Sequence, residues 1–188
     1  MIINLMNKNS AKLILFLAVS PGSRHSRSEI REKTGLNNVP LDLSLSELLA
    51  LKIIKMEKRF YYLNLENFIV KQIIDEIKKD IGSLPLKVQF EVLDFVSAVL
   101  KTKGIENIIL FGSYAKLIYS EKSDIDIAVV FADKQEMEKA EDKISEIAEK
   151  IGKKHKKEIQ EHLFTKDDLK HKEDPLIKDI VRNGKVLV

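Results

Sequence analysis

ILFGSYAKLIYSEKSDIDIAVV, residues 109–130, holds two apolar runs separated by a polar connection. The first run, Asn107 to Phe111, predicts a short strand that ends at Gly112-Ser113, with a helix following. The first amides of a helix have no intrahelical acceptor, and the helix dipole adds positive potential there. Gly112 has no Cβ, so an anion can approach the backbone, and Ser113 adds a hydroxyl donor. The second run, Asp124 to Phe131, predicts another strand. Residues two apart on a strand face the same side. Asp124 and Asp126 therefore project together, while Ile125 and Ile127 turn into the core. Two adjacent carboxylates repel unless a cation sits between them. Mg²⁺, or Mn²⁺ in its place, suits all-oxygen ligation and shares its shell with phosphates. The physical reading is a metal-bridged triphosphate held between an amide cradle at Gly112 and Ser113 and the two carboxylates.

Taken together, Gly112-Ser113, a short helix with Ala115 and Lys116, and Ser123-Asp124-Ile125-Asp126 before an apolar run resemble the DNA polymerase beta-like nucleotidyltransferase superfamily, in its minimal stand-alone branch. The resemblance covers residues 86–188. It implies an α/β (α+β) fold, a small mixed sheet flanked by helices. It also implies an enzyme in which Gly112 and Ser113 hold the β- and γ-phosphates of a nucleoside triphosphate, ATP in the first instance. On the same resemblance Asp124 and Asp126 would bind Mg²⁺, Lys116 would assist at the phosphates, and AMP would pass to a hydroxyl of a protein or other acceptor. Stand-alone members are similar to antitoxins that nucleotidylate a HEPN-type partner, which makes a HEPN-like protein a candidate acceptor. Leu117 departs from the family, which often has glycine there.

A second departure concerns a third carboxylate that catalysing members carry on the next strand. Anchored by its end at Thr165 to Leu169, the stretch KEIQEHLFTKDDL (157–169) puts Gln160 at that place. Alternation sets Glu158 and His162 on the same face and Glu161 on the other. Glu158 and Glu161 are both candidates to substitute as catalytic carboxylates. The alternative reading is a nucleotide-binding winged-helix regulator with weak or no catalysis.

Working outward, Leu86 to Lys101 reads as an amphipathic helix with Val88, Val92, Phe95, Val96 and Val99 inward. Lys134 to Ile151 reads as a long charged helix, Glu158 to Phe164 as a third strand, and Pro175 opens a last helix that ends at Gly184. His155 and His162 read as surface residues. The run Lys153-Lys154-His155-Lys156-Lys157 reads as a solvated helix end whose charge complements the dipole.

Residues 1–66 are expected to form a separate domain, joined to the transferase domain by a helix and linker over 67–85. Ser10 is the expected cap of a first helix through Leu13, Ile14, Leu17 and Ala18. A second helix starts near Ser26 or Ser28 and stops at Gly35, and a third covers Leu41 to Ala50. Two extended stretches, Ile53–Glu57 and Phe60–Leu65, flank Lys58-Arg59. Over residues 26–67 this order resembles a winged helix-turn-helix. That resemblance implies DNA as a partner, yet the third helix offers Asp42, Ser44, Ser46 and Glu47 and no basic side chain. Its leucines exceed one buried face, so homodimerisation or docking on the transferase domain competes with DNA.

The composition limits the rest. The 188 residues carry a net charge of +3, so a strongly basic nucleic-acid surface is not demanded. No cysteine is present, which excludes disulfides and thiolate metal sites. Leu13 to Val19 is too short to span a bilayer. Nothing points to a membrane, and a cytoplasmic protein is expected.

Overall fold

The computed structural model describes residues 7–171 and 173–188, without the side chain of Asp80. Residues 1–6 of the expected N-terminal domain thus lie outside the described residues. The chain forms two compact units, Met1–Phe90 and Glu91–Val188. Among the described residues no helix is long and apolar enough to cross a membrane.

The first unit holds α1 (Lys8–Val19), the two-residue strand β1 (His25–Ser26), α2 (Arg27–Thr34), α3 (Asn38–Ala50), β2 (Ile54–Glu57), β3 (Phe60–Leu63) and α4 (Phe68–Asp80). Asn7, not Ser10, caps α1: its side chain accepts from the amides of Asn9 and Ser10. Ser10 lies inside the helix, wholly buried, and donates to Glu47 at 2.5 Å. α2 behaves as expected. Ser26 accepts from the Glu29 amide, and Gly35 ends the helix at φ +67°. α3 begins at Asn38, three residues before the expected Leu41. Pro40 falls in the first turn, where a missing N–H breaks no helical bond. β2 and β3 pair antiparallel around Lys58 and Arg59, both at positive φ, and β1 adds to β3 to give the order β1-β3-β2.

α5 (Leu86–Val99) runs across the division between the units. Beyond it follow β4 (Ile105–Leu110), α6 (Gly112–Ala115), β5 (Ile125–Phe131), α7 (Lys134–His155), β6 (Ile159–Thr165), a 3₁₀ turn (Asp168–Lys170), α8 (Pro175–Asn183) and β7 (Lys185–Val186). The sheet order is β6-β5-β4-β7. β5 runs antiparallel to β4 and parallel to β6, so the sheet is mixed. β5 is central and covered on both faces, which is why Ile125, Ile127, Ala128, Val129, Val130 and Phe131 are all fully buried. Ala128 and Val130 pack with Ile109, Phe111 and Ile180 in one cluster. Ala140, Ile144, Ala148 and Ile151 form the buried stripe of α7. That helix runs past Gly152 to His155 and is closed by Lys156 at φ +58°.

Candidate functional site

The candidate site is built around the turn from β4 into α6. Phe111 is extended, and Gly112 follows at φ +68°. A Cβ built on Gly112 would fall 2.0 Å from Asp126 Oδ2. Glycine is therefore required twice: by the left-handed backbone and by the carboxylate seated against it. α6 is a single turn of four residues, so its dipole is small and any anion affinity rests on local amides and the Ser113 hydroxyl.

The acids lie on the face of β5 that continues from Val130 and Ala128 out of the core to Asp126 and Asp124. Asp126 is half-buried, and its carboxyl titrates above the ordinary aspartate range. Burial is the main cause. His162 and Lys116 oppose the shift, while Asp124 and Asp179 add to it by repulsion. The two acids thus converge closely enough to feel each other.

The parallel register sets Asp126 opposite Gln160 and Ala128 opposite His162. Gln160 Nε2 donates to Asp124 Oδ2 at 3.0 Å. The His162 ring meets Phe111 edge-on at 5.1 Å between centroids. Glu161 is on the other face, where it accepts from Ser145 of α7 at 2.6 Å. Glu158 precedes β6 and lines a groove along α7 with Asp142, Glu149 and Lys153. Neither glutamate joins the aspartates: among the described residues no group of three or more His, Cys, Asp or Glu side chains is placed to hold a metal ion. Glu158 stands one residue before β6, and its carbonyl accepts from the Ile125 amide at 3.0 Å.

Lys116 is ion-paired. Its ammonium is shared with Asp179 of α8 at 3.0 and 3.1 Å, and Asn183 donates to the same carboxylate at 2.7 Å. Those bonds, the Asn183 one first, hold Asp179 below the ordinary aspartate range. Asp179 carries no local signal, being one acid in an amphipathic helix 63 residues away from Lys116.

The connection from α6 to β5 is stitched down. Tyr119 stacks on buried Tyr114 with centroids 4.4 Å apart. The Ser120 amide donates to Ser123 Oγ at 2.8 Å, and the Ser123 amide to Ser120 O at 3.1 Å. Lys157 Nζ donates to Glu121 O at 2.8 Å and lies over the Tyr114 ring. Three more members of the basic run are engaged. Lys153 pairs with Glu149, while Lys154 and His155 reach Asp94 at 2.6 and 2.9 Å. His155 is therefore no surface residue; its side chain is 11% exposed and tied to an almost fully buried aspartate.

Leu117 adopts φ +59°, at the position where the family often has glycine. A left-handed conformation costs an L-residue about 1–2 kcal/mol, offset by ~0.5–1 kcal/mol of extra unfolded-state entropy when glycine replaces it. The Leu117→Gly variant is expected to gain about 0.5 kcal/mol, a rise of ~1–2 °C in thermal midpoint. Differential scanning calorimetry checks this, and a fall in midpoint would show that the half-exposed leucine side chain contributes more than its strained backbone loses.

A glycine-hinged turn facing paired acids on the central strand of a small mixed sheet defines the class: an α/β fold of the nucleotidyltransferase type. The model of the family described as "Polymerase beta, Nucleotidyltransferase" matches residues 95–188, half of the chain, and the chain belongs to that family. A comparison with curated proteins found no match. Among solved structures, a chain from "Crystal structure of the toxin-antitoxin with AMP-PNP" is similar at 25% identity, over 50% of this chain and 70% of that one, with a TM-score of 0.36.

Proposed function

We propose that the second unit transfers a nucleoside monophosphate, AMP from ATP, to a hydroxyl of an acceptor. The observation that supports this most is the seating of Asp126 against Gly112, where a Cβ would stand 2.0 Å from Oδ2. It brings a carboxylate within one atomic layer of the amides and hydroxyl that would face a triphosphate.

The residues present fit a hard divalent cation. The donors are carboxylate oxygens, they stand beside a backbone cradle open to phosphate, and burial of Asp126 disfavours its bare negative charge. Asp124 and Asp126 would hold Mg²⁺ or Mn²⁺, which when bound neutralises charge on the phosphate oxygens. Ser113 and the α6 amides would orient the β- and γ-phosphates. In the transfer, the acceptor oxygen bonds to the α-phosphorus and the bond from that phosphorus to the bridging oxygen breaks. Pyrophosphate leaves, and the hydroxyl proton goes to a base. The resemblance to stand-alone family members makes a protein acceptor, of the HEPN-like type, the first to try.

Gln160 in place of a third carboxylate favours a second reading, a nucleotide-binding regulator in which transfer is slow or absent. Incubation with ATP labelled at the α-phosphate and Mg²⁺, with and without proteins encoded nearby, separates the two. Label on an acceptor supports transfer, whereas saturable binding without label supports regulation. Failure to bind nucleotide at all sinks both.

For the N-terminal unit, we read the three helices and hairpin as a winged-helix module that contacts protein. Val39, Asp42, Leu43 and Ser46 are the exposed side of α3, with no basic side chain among them. Arg27, beside α3, is held by Asp42 at 2.7 and 2.9 Å, which sets its charge against a carboxylate rather than a phosphate backbone.

A further inference from the structure

Gln160 stands where the acidic face of β5 passes onto β6. Its register partner is Asp126, yet its side chain reaches Asp124, donating from Nε2 to Oδ2 at 3.0 Å. Charge fixes the orientation of the amide. An ionised carboxylate only accepts, so Nε2 turns toward it, and Oε1 in that place would be repelled.

Three consequences follow from this one bond. The amide is neutral, so the two strands offer two negative side chains at this edge rather than three. The atom facing Asp124 is a donor and does not ligate a cation. The bond also occupies a lone pair of Oδ2 on the side toward β6. The neighbours do not compensate. Glu161 is turned to Ser145 on the opposite face, and the His162 ring packs edge-on against Phe111. A two-metal site sets its ions about 3.5–4 Å apart, and hard cations need oxygen ligands on the flank of each. On the β6 flank, opposite Asp126, Gln160 presents an amide in place of such a carboxylate.

We propose that Gln160 makes this a one-cation site. It fixes Asp124 for a single divalent ion shared with the triphosphate and withholds the ligand that a second ion would need. Gln160 acts through Asp124 and is a positioning residue. This inference rests on the nucleotide reading of the site given above. It also explains how that site can keep nucleotide affinity while lacking the carboxylate on β6 that would take the acceptor's proton.

The test is equilibrium dialysis of the full chain against Mn²⁺ in the presence of saturating α,β-methylene ATP. Bound Mn²⁺ is counted by electron paramagnetic resonance after acid release. One Mn²⁺ per chain is expected for the native protein, and two for Gln160→Glu or for Gln160→Asp. Two ions in the native protein, or one in both carboxylate variants, overturns the inference and leaves nucleotide binding standing. No Mn²⁺ retained with the analogue in the native protein overturns the proposed function, and this inference with it.

Discussion

The Asp124→Ala/Asp126→Ala variant is expected to lose transfer by ~10³-fold or more, and to lose metal-dependent nucleotide binding while staying folded. Asp124 and Asp126 are partly exposed at the N-terminal end of β5, while Ile125 and Ile127 between and beyond them turn inward and are fully buried, so removing the two acids leaves the inward residues in place. Isothermal titration with Mn²⁺ and a nonhydrolysable triphosphate reads the binding, and circular dichroism reads the fold. Transfer at the native rate would remove the assignment. Asp126 carries a further expectation on stability. Burial raises its pKa in the folded chain, so the native state binds the proton more tightly than the unfolded one. Its contribution is most favourable below the ordinary aspartate range and declines as pH rises through the raised value. The Asp126→Asn variant is therefore expected to melt higher than the native protein at neutral pH without metal, with the difference fading in acid. Added Mn²⁺ is expected to raise the midpoint of the native protein alone.

The Gly112→Ala variant is expected to be destabilised by ~2–4 kcal/mol and to lose nucleotide affinity. Two terms contribute: the strain of alanine at φ +68° and the contact of its Cβ with Asp126 Oδ2. Combining the substitution with Asp126→Ala removes the second term only. Denaturant titration of the four proteins in the cycle is expected to show a coupling of about 1–2 kcal/mol. Strict additivity would mean that Asp126 swings away freely and that the pocket is looser than the structure has it.

The fold class and the acid-and-glycine constellation were legible because each rests on local geometry. Alternation alone puts Asp124 and Asp126 on one side of β5 and sends Ile125 and Ile127 inward. The place of Gln160 was reached by anchoring its stretch at Thr165 to Leu169, and the parallel register that sets it opposite Asp126 came from the structure. What escaped was set by tertiary pairing. β1 and β7 are two residues each, too short for any periodic signal, and exist because β3 and β4 present open edges. Asn7 and Ser10 both have capping chemistry, and burial against Glu47 decided between them. Asp179 and the Asp94–His155 contact join residues more than 60 positions apart, and no spacing rule reaches that far.

The stitched segment between α6 and β5 bears on how a ligand arrives. Ring stacking, serine cross-bonds and the Lys157 tether already hold it in shape. Loops that order only on binding spend part of the gross interaction energy on that ordering and slow the encounter. This one asks for little of either. A ligand bound here would meet something closer to a rigid notch than to a closing hand, and selectivity would then come from the outline of the notch itself.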